Sequence, residues 1–330
     1  MINKSNSRLD PIGTLATLVT LVFWAIAPNF ARWLADYTDA WTQNFWRFLT
    51  SMLFWLPFLL VMHRRGKIES RVWRLALAPG LICIVMQSLC VISLYYIAPA
   101  FNNFLARSSI VFIAFFSMIL FPDERGLLRS GRFWLGMTLC SVGLLGVAVF
   151  HGDLGGATLW GIILTILFGL SWAIYTLVVR KAFLHLDQRV GFAVITIYAT
   201  PGLGVLAWLY GKPLALFQFP APTQLRVWAV IIISAILCIA IAHTIFFVAI
   251  RRLGPTLPSL THLSLPFLVL LVSQYLFGEK LTLGQWLSGI VLVAGAALSI
   301  LAQHARHPAI TSPDPPLRHT SASTEPQSQA

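Results

Sequence analysis

Apolar stretches follow one another along almost the whole chain, separated by short breaks that contain polar residues, proline or glycine. A helix that crosses a bilayer needs about 20 mostly apolar residues. This pattern predicts ten membrane-spanning helices, and thus an all-α membrane protein. We expect the spans at 11–35, 41–62, 73–97, 99–121, 132–150, 157–179, 190–210, 226–250, 255–277 and 284–302.

Composition supports the membrane prediction and adds little else. Of 330 residues, 58% are hydrophobic and 10% are charged, whereas soluble domains are about half apolar and about a quarter charged. The four cysteines lie in apolar runs, so we expect buried thiols rather than disulfides or metal ligands. We therefore predict no metal and no cofactor. The segment 303–330 is rich in Pro, Ser and Thr, and we expect it to be a disordered cytoplasmic tail.

The positive charges indicate an orientation in the membrane. The net charge of +12 would suggest nucleic acid in a soluble chain. With the N-terminus in the cytoplasm, however, the inner segments hold 17 Lys and Arg residues, Arg180 among them, and the outer segments hold 3. Positive residues concentrate on the cytoplasmic side of membrane proteins. We therefore expect a multi-pass protein of the cell (inner) membrane with both termini in the cytoplasm, and no nucleic-acid partner.

The two halves of the chain share a pattern of residues in the same order. Trp24-Ala25-Ile26 precedes Arg32 by the same spacing that separates Trp172-Ala173-Ile174 from Arg180. Such agreement at nearly one offset predicts a duplication, with repeats at 11–150 and 157–302.

A second match places a charged residue and an imidazole at equivalent sites. Glu124 ends the fourth span and Glu279 the ninth, and Arg107 and His262 each lie 17 residues before these glutamates. Five spans is an odd number, so the second repeat enters the membrane from the opposite side. Inverted repeats of this kind are typical of secondary transporters, with the substrate site near mid-membrane between the halves.

The sequence resembles the EamA type of the drug/metabolite transporter superfamily. The resemblance rests on the tryptophan of span 1, on spans 4 and 9 that end in glutamate, and on the glycine-rich spans that follow them. It is clearest in LGPTLPSLTHLSLPFLVLLVSQYLFGEKLTLGQWLSGIVLVAGA, residues 253–296. It implies a carrier whose central cavity is lined mainly by spans 1, 3, 4, 6, 8 and 9. The buried arginines, and extra loop residues after Glu124, depart from the family pattern.

Two arginines lie at membrane depth. Arg107 is predicted about 12 Å and Arg47 about 9 Å from the outer ends of their spans, at 1.5 Å per helical residue. Such residues normally face a wet cavity or a partner. The alternatives are that Arg47 extends outward to the interface and that Arg107 binds neighbouring backbone carbonyls.

Other polar and aromatic side chains complete the predicted site. His262 and His243 could couple transport to protons or be neutral, backbone-bonded residues, and the aromatic residues could serve helix packing instead. Glu124 and Glu279 are expected to fix span ends. The candidate substrate-binding residues are Trp24, Asn29, Arg47, Gln87, Tyr95, Asn103, Arg107, Trp172, Tyr175, His243 and His262.

No Asp or Glu falls inside any predicted span, so the charge predicted within the membrane is positive. This favours solutes that bear a carboxylate or phosphate over cationic drugs. We therefore expect a secondary active transporter, an exporter of amino acids or other carboxylate-bearing metabolites, with protons as a candidate coupling ion. The alternative is a membrane-embedded enzyme such as a lipid-modifying transferase. The sequence has no His-Glu-x-x-His, Gly-Lys-Ser loop or nucleophile elbow, so we do not expect an enzyme.

Overall fold

A computed structural model describes residues 10–93, 96, 105–150, 158–277 and 282–302, which form helices joined by short turns. Tyr95, Asn103, Glu279 and the 303–330 tail lie outside the described residues.

Most helices follow the predicted spans with shifted ends, but the helix described within the predicted span 99–121 begins only at Ser109, and Arg107 lies in the turn before it. They are α1 (Pro11–Ala35), α2 (Ala40–Arg64), α3 (Ser70–Ser93), α4 (Ser109–Leu120), α5 (Gly131–Val149), α6 (Leu159–Phe183), α7 (Gln188–Tyr210), α8 (Ala221–Leu253), α9 (Thr256–Phe277, in two parts) and α10 (Leu283–Leu301). A short helix, Arg125–Leu128, lies between α4 and α5. Within the described ranges, seven helices are long and apolar enough to cross a membrane: α1, α2, α3, α6, α7, α8 and α10.

Two of the predicted spans are not regular α-helices. In α8 the segment Ala235–Ile241 is a π-helix. In α9, Thr256–Thr261 and Leu265–Phe277 are separated by a 3-10 turn, His262–Ser264. Pro266 has no N–H to offer the His262 carbonyl four residues earlier, which accounts for a break at this point.

Short polar side chains start many of the helices. Asp10 accepts a hydrogen bond from Gly13 N (2.8 Å), and Asp39 accepts one from Thr42 N (2.8 Å). Thr158 caps α6, and Thr282 begins α10 as part of a capping box. Each cap satisfies backbone N–H groups that have no partner within the helix.

Two hydrophobic clusters form the core of the protein. Cluster A joins α2, α3, α6, α7 and α8, and its fully buried side chains include Phe48, Met86, Tyr175 and Phe192. Cluster B joins α4, the short 125–128 helix, α5, α9 and α10, with Leu127, Phe133, Leu260 and Leu292 at its centre. Helix α1 packs against both α8 and α9, so it lies between the clusters.

The contact between α5 and α10 depends on glycines. A Cβ added at Gly143 would lie 2.6 Å from the backbone N of Leu292, and one added at Gly295 would lie 2.7 Å from the backbone N of Cys140. Neither backbone can move aside as a flexible side chain would. Small residues at such positions let membrane helices approach closely, where van der Waals packing drives association.

We therefore predict that Gly143→Ala destabilises the protein, since overpacking a tight contact typically costs about 1–3 kcal/mol. The measurement is thermal unfolding of purified protein in detergent. Gly131→Ala is the matched control, because a Cβ at Gly131, on the same helix, meets no atom within 4 Å. Equal unfolding temperatures for the two variants would contradict the close α5–α10 contact.

Candidate substrate-binding site

Trp24 on α1 is the centre of a ring cluster that draws on four helices. Its ring centroid lies 5.3 Å from that of Trp172, 5.1 Å from both His243 and His262, and 4.9 Å from Phe246. Four predicted site residues, far apart in sequence, are thus brought together from α1, α6, α8 and α9. This Trp24 ring cluster lies between cluster A and helix α9, which belongs to cluster B.

The π-helical turn of α8 is fixed in place by tryptophans of the first half. Trp24 donates its indole N–H to the Cys238 carbonyl (3.0 Å), and Trp55 on α2 donates to the Ala240 carbonyl (3.3 Å). Between them, Nδ1 of His243 lies 3.1 Å from the Ile239 carbonyl. π-turns within α-helices are frequent at functional sites, and this one sets the position of His243 beside Trp24.

His243 and His262 have different surroundings. His243 is buried, and its ring stacks on Phe192 at 5.0 Å. His262 begins the 3-10 turn of α9, is 4% exposed, and approaches the backbone of Thr17. Its Nε2 has no hydrogen-bond partner among the described residues. The break in α9 therefore presents a buried, unsatisfied imidazole nitrogen at the ring cluster.

Arg47 and Arg107 approach this region from two sides. Arg107 lies in the turn before α4, half-buried and within electrostatic range of the His262 imidazole. Arg47 on α2 is 9% exposed and stands in the same relation to His243. Cys90 on α3 lies within electrostatic range of both guanidinium groups. The site therefore has positive potential, and no acidic residue of the predicted spans opposes it.

Both halves of the chain match one family description. The EamA-like transporter family matches residues 11–149 and again residues 159–301. The chain belongs to the EamA-like transporter family. It is a multi-pass, all-helical membrane transporter with two EamA domains.

Known proteins resemble this EamA-like transporter over most of its length. An uncharacterized transporter of Archaeoglobus fulgidus is 23% identical over 297 residues, which cover 88% of this chain and 98% of the relative. A crystal structure of another protein superposes with a TM-score of 0.69 at 16% identity, covering 88% of this chain and 96% of the other. At that identity the superposition supports the fold alone.

The remaining predicted residues lie at different distances from the ring cluster. Tyr175 is fully buried in cluster A, with ring centroids of Trp172 and Phe247 both 6.1 Å away. Asn29 is buried and donates to the Ala25 carbonyl of its own helix (3.3 Å). Gln87 is half-buried on α3, three residues before Cys90.

A polar face of α2 in this EamA-like transporter was missed by the sequence interpretation, apart from Arg47. Gln43, Asn44 and Ser51 are buried with it, and the atoms Gln43 Oε1, Asn44 Nδ2, Arg47 Nε and Ser51 Oγ have no hydrogen-bond partner among the described residues. Residues 44, 47 and 51 share one helix face, and this spacing was the available signal. Buried polar groups are almost always satisfied, so this face is suited to water or a polar ligand.

A different outcome concerns Arg180, which the sequence interpretation placed in an inner segment as a topology signal. In this transporter it is a buried residue of α6, and its Nη1 donates to Glu124 Oε1 at 2.7 Å. Its Nη2 pairs with Asp123, and its Cζ lies 4.2 Å from the centroid of the Phe121 ring. Glu124 is 0% exposed, so its carboxylate is removed from solvent within this ion pair; its role in fixing a span end stays a prediction.

We predict that Asn44→Leu leaves the unfolding temperature nearly unchanged. The amide Nδ2 of Asn44 has no protein partner among the described residues, so the substitution breaks no hydrogen bond of that nitrogen within the protein, and leucine has a similar shape. Gln285→Leu is the contrast, because the buried Gln285 amide accepts from Thr282 N at 2.8 Å in the α10 cap. That variant should unfold at a lower temperature. A clear loss of stability in Asn44→Leu would show instead that Asn44 has a structural partner.

Proposed function

We propose that this EamA-like transporter is a secondary active carrier that exports amino acids or other carboxylate-bearing metabolites from the cytoplasm. The observation that carries the proposal is the pairing of Arg47 and Arg107 with His243 and His262 around the Trp24 ring cluster. These residues supply positive charge and N–H donors, and acidic side chains are absent from the predicted spans.

Placing an arginine within a membrane is unfavourable in free energy. A central arginine costs about 3 kcal/mol on insertion scales, and Arg47 is nine-tenths buried. Three further polar side chains on the same face of α2 share its burial. This set is stable in a membrane if water fills the space around it. An acidic solute can then replace that water, since carboxylate and phosphate bind guanidinium through two parallel hydrogen bonds.

The ring cluster supplies the second part of a substrate site. Trp24 and Trp172 are half-buried, so part of each indole is available to a solute. A small metabolite bound there places its acidic group towards the arginines and its apolar part on the indoles. Ligand sites commonly combine apolar walls with a few placed polar groups.

Helix packing supports a 5+5 inverted repeat with alternating access. The contact of α3 with α6 recurs, after a shift of five helices, as that of α8 with α1. The contact of α4 with α6 recurs in the same way as that of α9 with α1. Relative movement of two helix groups about a fixed central site is how such repeats expose a substrate to each side.

The proposed topology places both termini in the cytoplasm of the cell. Nη1 of Arg252, at the end of α8, lies 3.3 Å from Oδ2 of Asp10, at the start of α1. These two helix ends therefore share one membrane face. The proposed coupling ion is the proton, with His262 and His243 as the titrating groups at the site. Uptake into sealed vesicles with and without a pH gradient tests the coupling.

The test of substrate class is a thermal-stabilisation screen of purified protein with matched acidic, zwitterionic and cationic solutes at constant ionic strength. We predict stabilisation by acidic solutes, and its loss in Arg47→Gln and Arg107→Gln, because each substitution removes one guanidinium from the site. Arg226→Gln is the control, since it removes one exposed charge at the start of α8. Stabilisation by cationic solutes alone, or an unchanged acidic response in both site variants, would contradict the proposal.

A further inference from the structure

The Arg180 ion pair joins the two hydrophobic clusters. Arg180 is preceded by Val179 and followed one turn later by Phe183, both core residues of cluster A. Glu124 immediately precedes the short helix whose Leu127 and Leu128 belong to cluster B. The ion pair between the Arg180 guanidinium and the Glu124 carboxylate therefore links cluster A to cluster B.

Burial strengthens the attraction between Arg180 and Glu124 as long as water is excluded from the pair. The side chains of Arg180 and Glu124 are 5% and 0% exposed. Asp123 gives the same guanidinium a second carboxylate, and the ring of Phe121 covers its face. Burial makes the loss of either partner unfavourable, because the other charge remains without compensation. Once water enters, however, both groups can be solvated, so the contact has distinct closed and open states.

Helix α6, which carries Arg180, also contacts the start of α4, the helix that precedes Glu124, at a point well away from the ion pair. A Cβ on Gly169 of α6 would lie 2.9 Å from Ser108 Oγ, beside the start of α4. Gly169 precedes Arg180 by eleven residues, which is about 16 Å along a helix. The α4–α6 contact thus has a tightly packed point at one end and a charged contact at the other.

We propose that the contact of Arg180 with Asp123 and Glu124 is a releasable lock, which holds clusters A and B together at one membrane face and opens when the site is exposed to that face. In the proposed topology this is the cytoplasmic face. The lock closes that side in the present structure, and movement about the Gly169 contact separates the charged ends.

The test is a distance measurement across the lock. Spin labels are attached to Arg129→Cys beside cluster B and to Lys181→Cys beside cluster A, both of which are exposed positions. Pulsed electron paramagnetic resonance on protein in lipid nanodiscs gives the distance distribution. The parent without the two new cysteines reports any labelling of the native thiols. We expect one main distance in the doubly labelled protein with Glu124 intact. We expect a second, longer population when Glu124→Gln is added.

Asp187→Asn is the matched control. Asp187 Oδ2 pairs with Arg189 Nη2 at 2.7 Å at the start of α7, with both partners on the second half of the chain. Burial acts to raise the pKa of Asp187, but hydrogen bonds from Arg189 outweigh it, so its pKa is lowered and the pair is ionised at neutral pH. Loss of this pair should leave the distance distribution unchanged.

Charge exchange provides the rescue. In Asp123→Asn/Glu124→Arg/Arg180→Glu the attraction is restored with reversed polarity, because the Asp123 substitution removes a carboxylate that would repel the exchanged one. The short distance should then return. If Glu124→Gln does not give folded protein, Asp123→Asn takes its place under the same criterion, because the Asp123 side chain is 39% exposed. A distribution that stays the same as the parent's in the folded neutralised variant overturns the lock. This measurement needs no substrate, so its failure leaves the proposed solute class intact, and the reverse also holds.

Discussion

The central constraint on this protein is the placement of guanidinium groups in a chain built for hydrocarbon. Arg47 lies on a buried polar face of α2, and the predicted spans contain no acidic residue. A charge at membrane depth is stable only beside water or a partner. Arg180 meets the same constraint differently, through two carboxylates in a buried ion pair. One kind of residue is thus proposed to bind solute in one place and to close the structure in another.

The backbone around the site departs from regular helix where the candidate side chains converge. The π-turn of α8 presents carbonyls to Trp24 and Trp55, and the 3-10 turn of α9 presents His262. Irregular backbone at membrane depth is tolerated where it is buried in protein or lines a cavity. The π-turn contributes Ile239 to cluster A and the 3-10 turn contributes Leu263 to cluster B, so movement of one cluster against the other would change the site directly.

Hydrophobic patterning predicted most of the helix positions, because the length of an apolar stretch is set by the thickness of the bilayer. The repeat and the polar and aromatic residues within the predicted spans placed Trp24, Trp172, His243 and His262 in one candidate set of eleven residues. The π-turn was not predicted, since its cause lies in the contacts that α1 and α2 make with α8. The burial of Arg180 was missed because its partners, Asp123 and Glu124, are far away in sequence. Asn44 and Ser51 went unnoticed because single polar residues in an apolar helix give a weak signal until their shared face is seen.

The most direct test of the central claim is a structure of the protein bound to the solute that stabilises it most, determined by electron cryo-microscopy in lipid nanodiscs. The account predicts density for that solute beside the Trp24 ring cluster, with its acidic group within hydrogen-bonding distance of Arg47 or Arg107. A solute bound away from both guanidinium groups, or both groups bonded only to helix backbone with no water or solute around them, would contradict it.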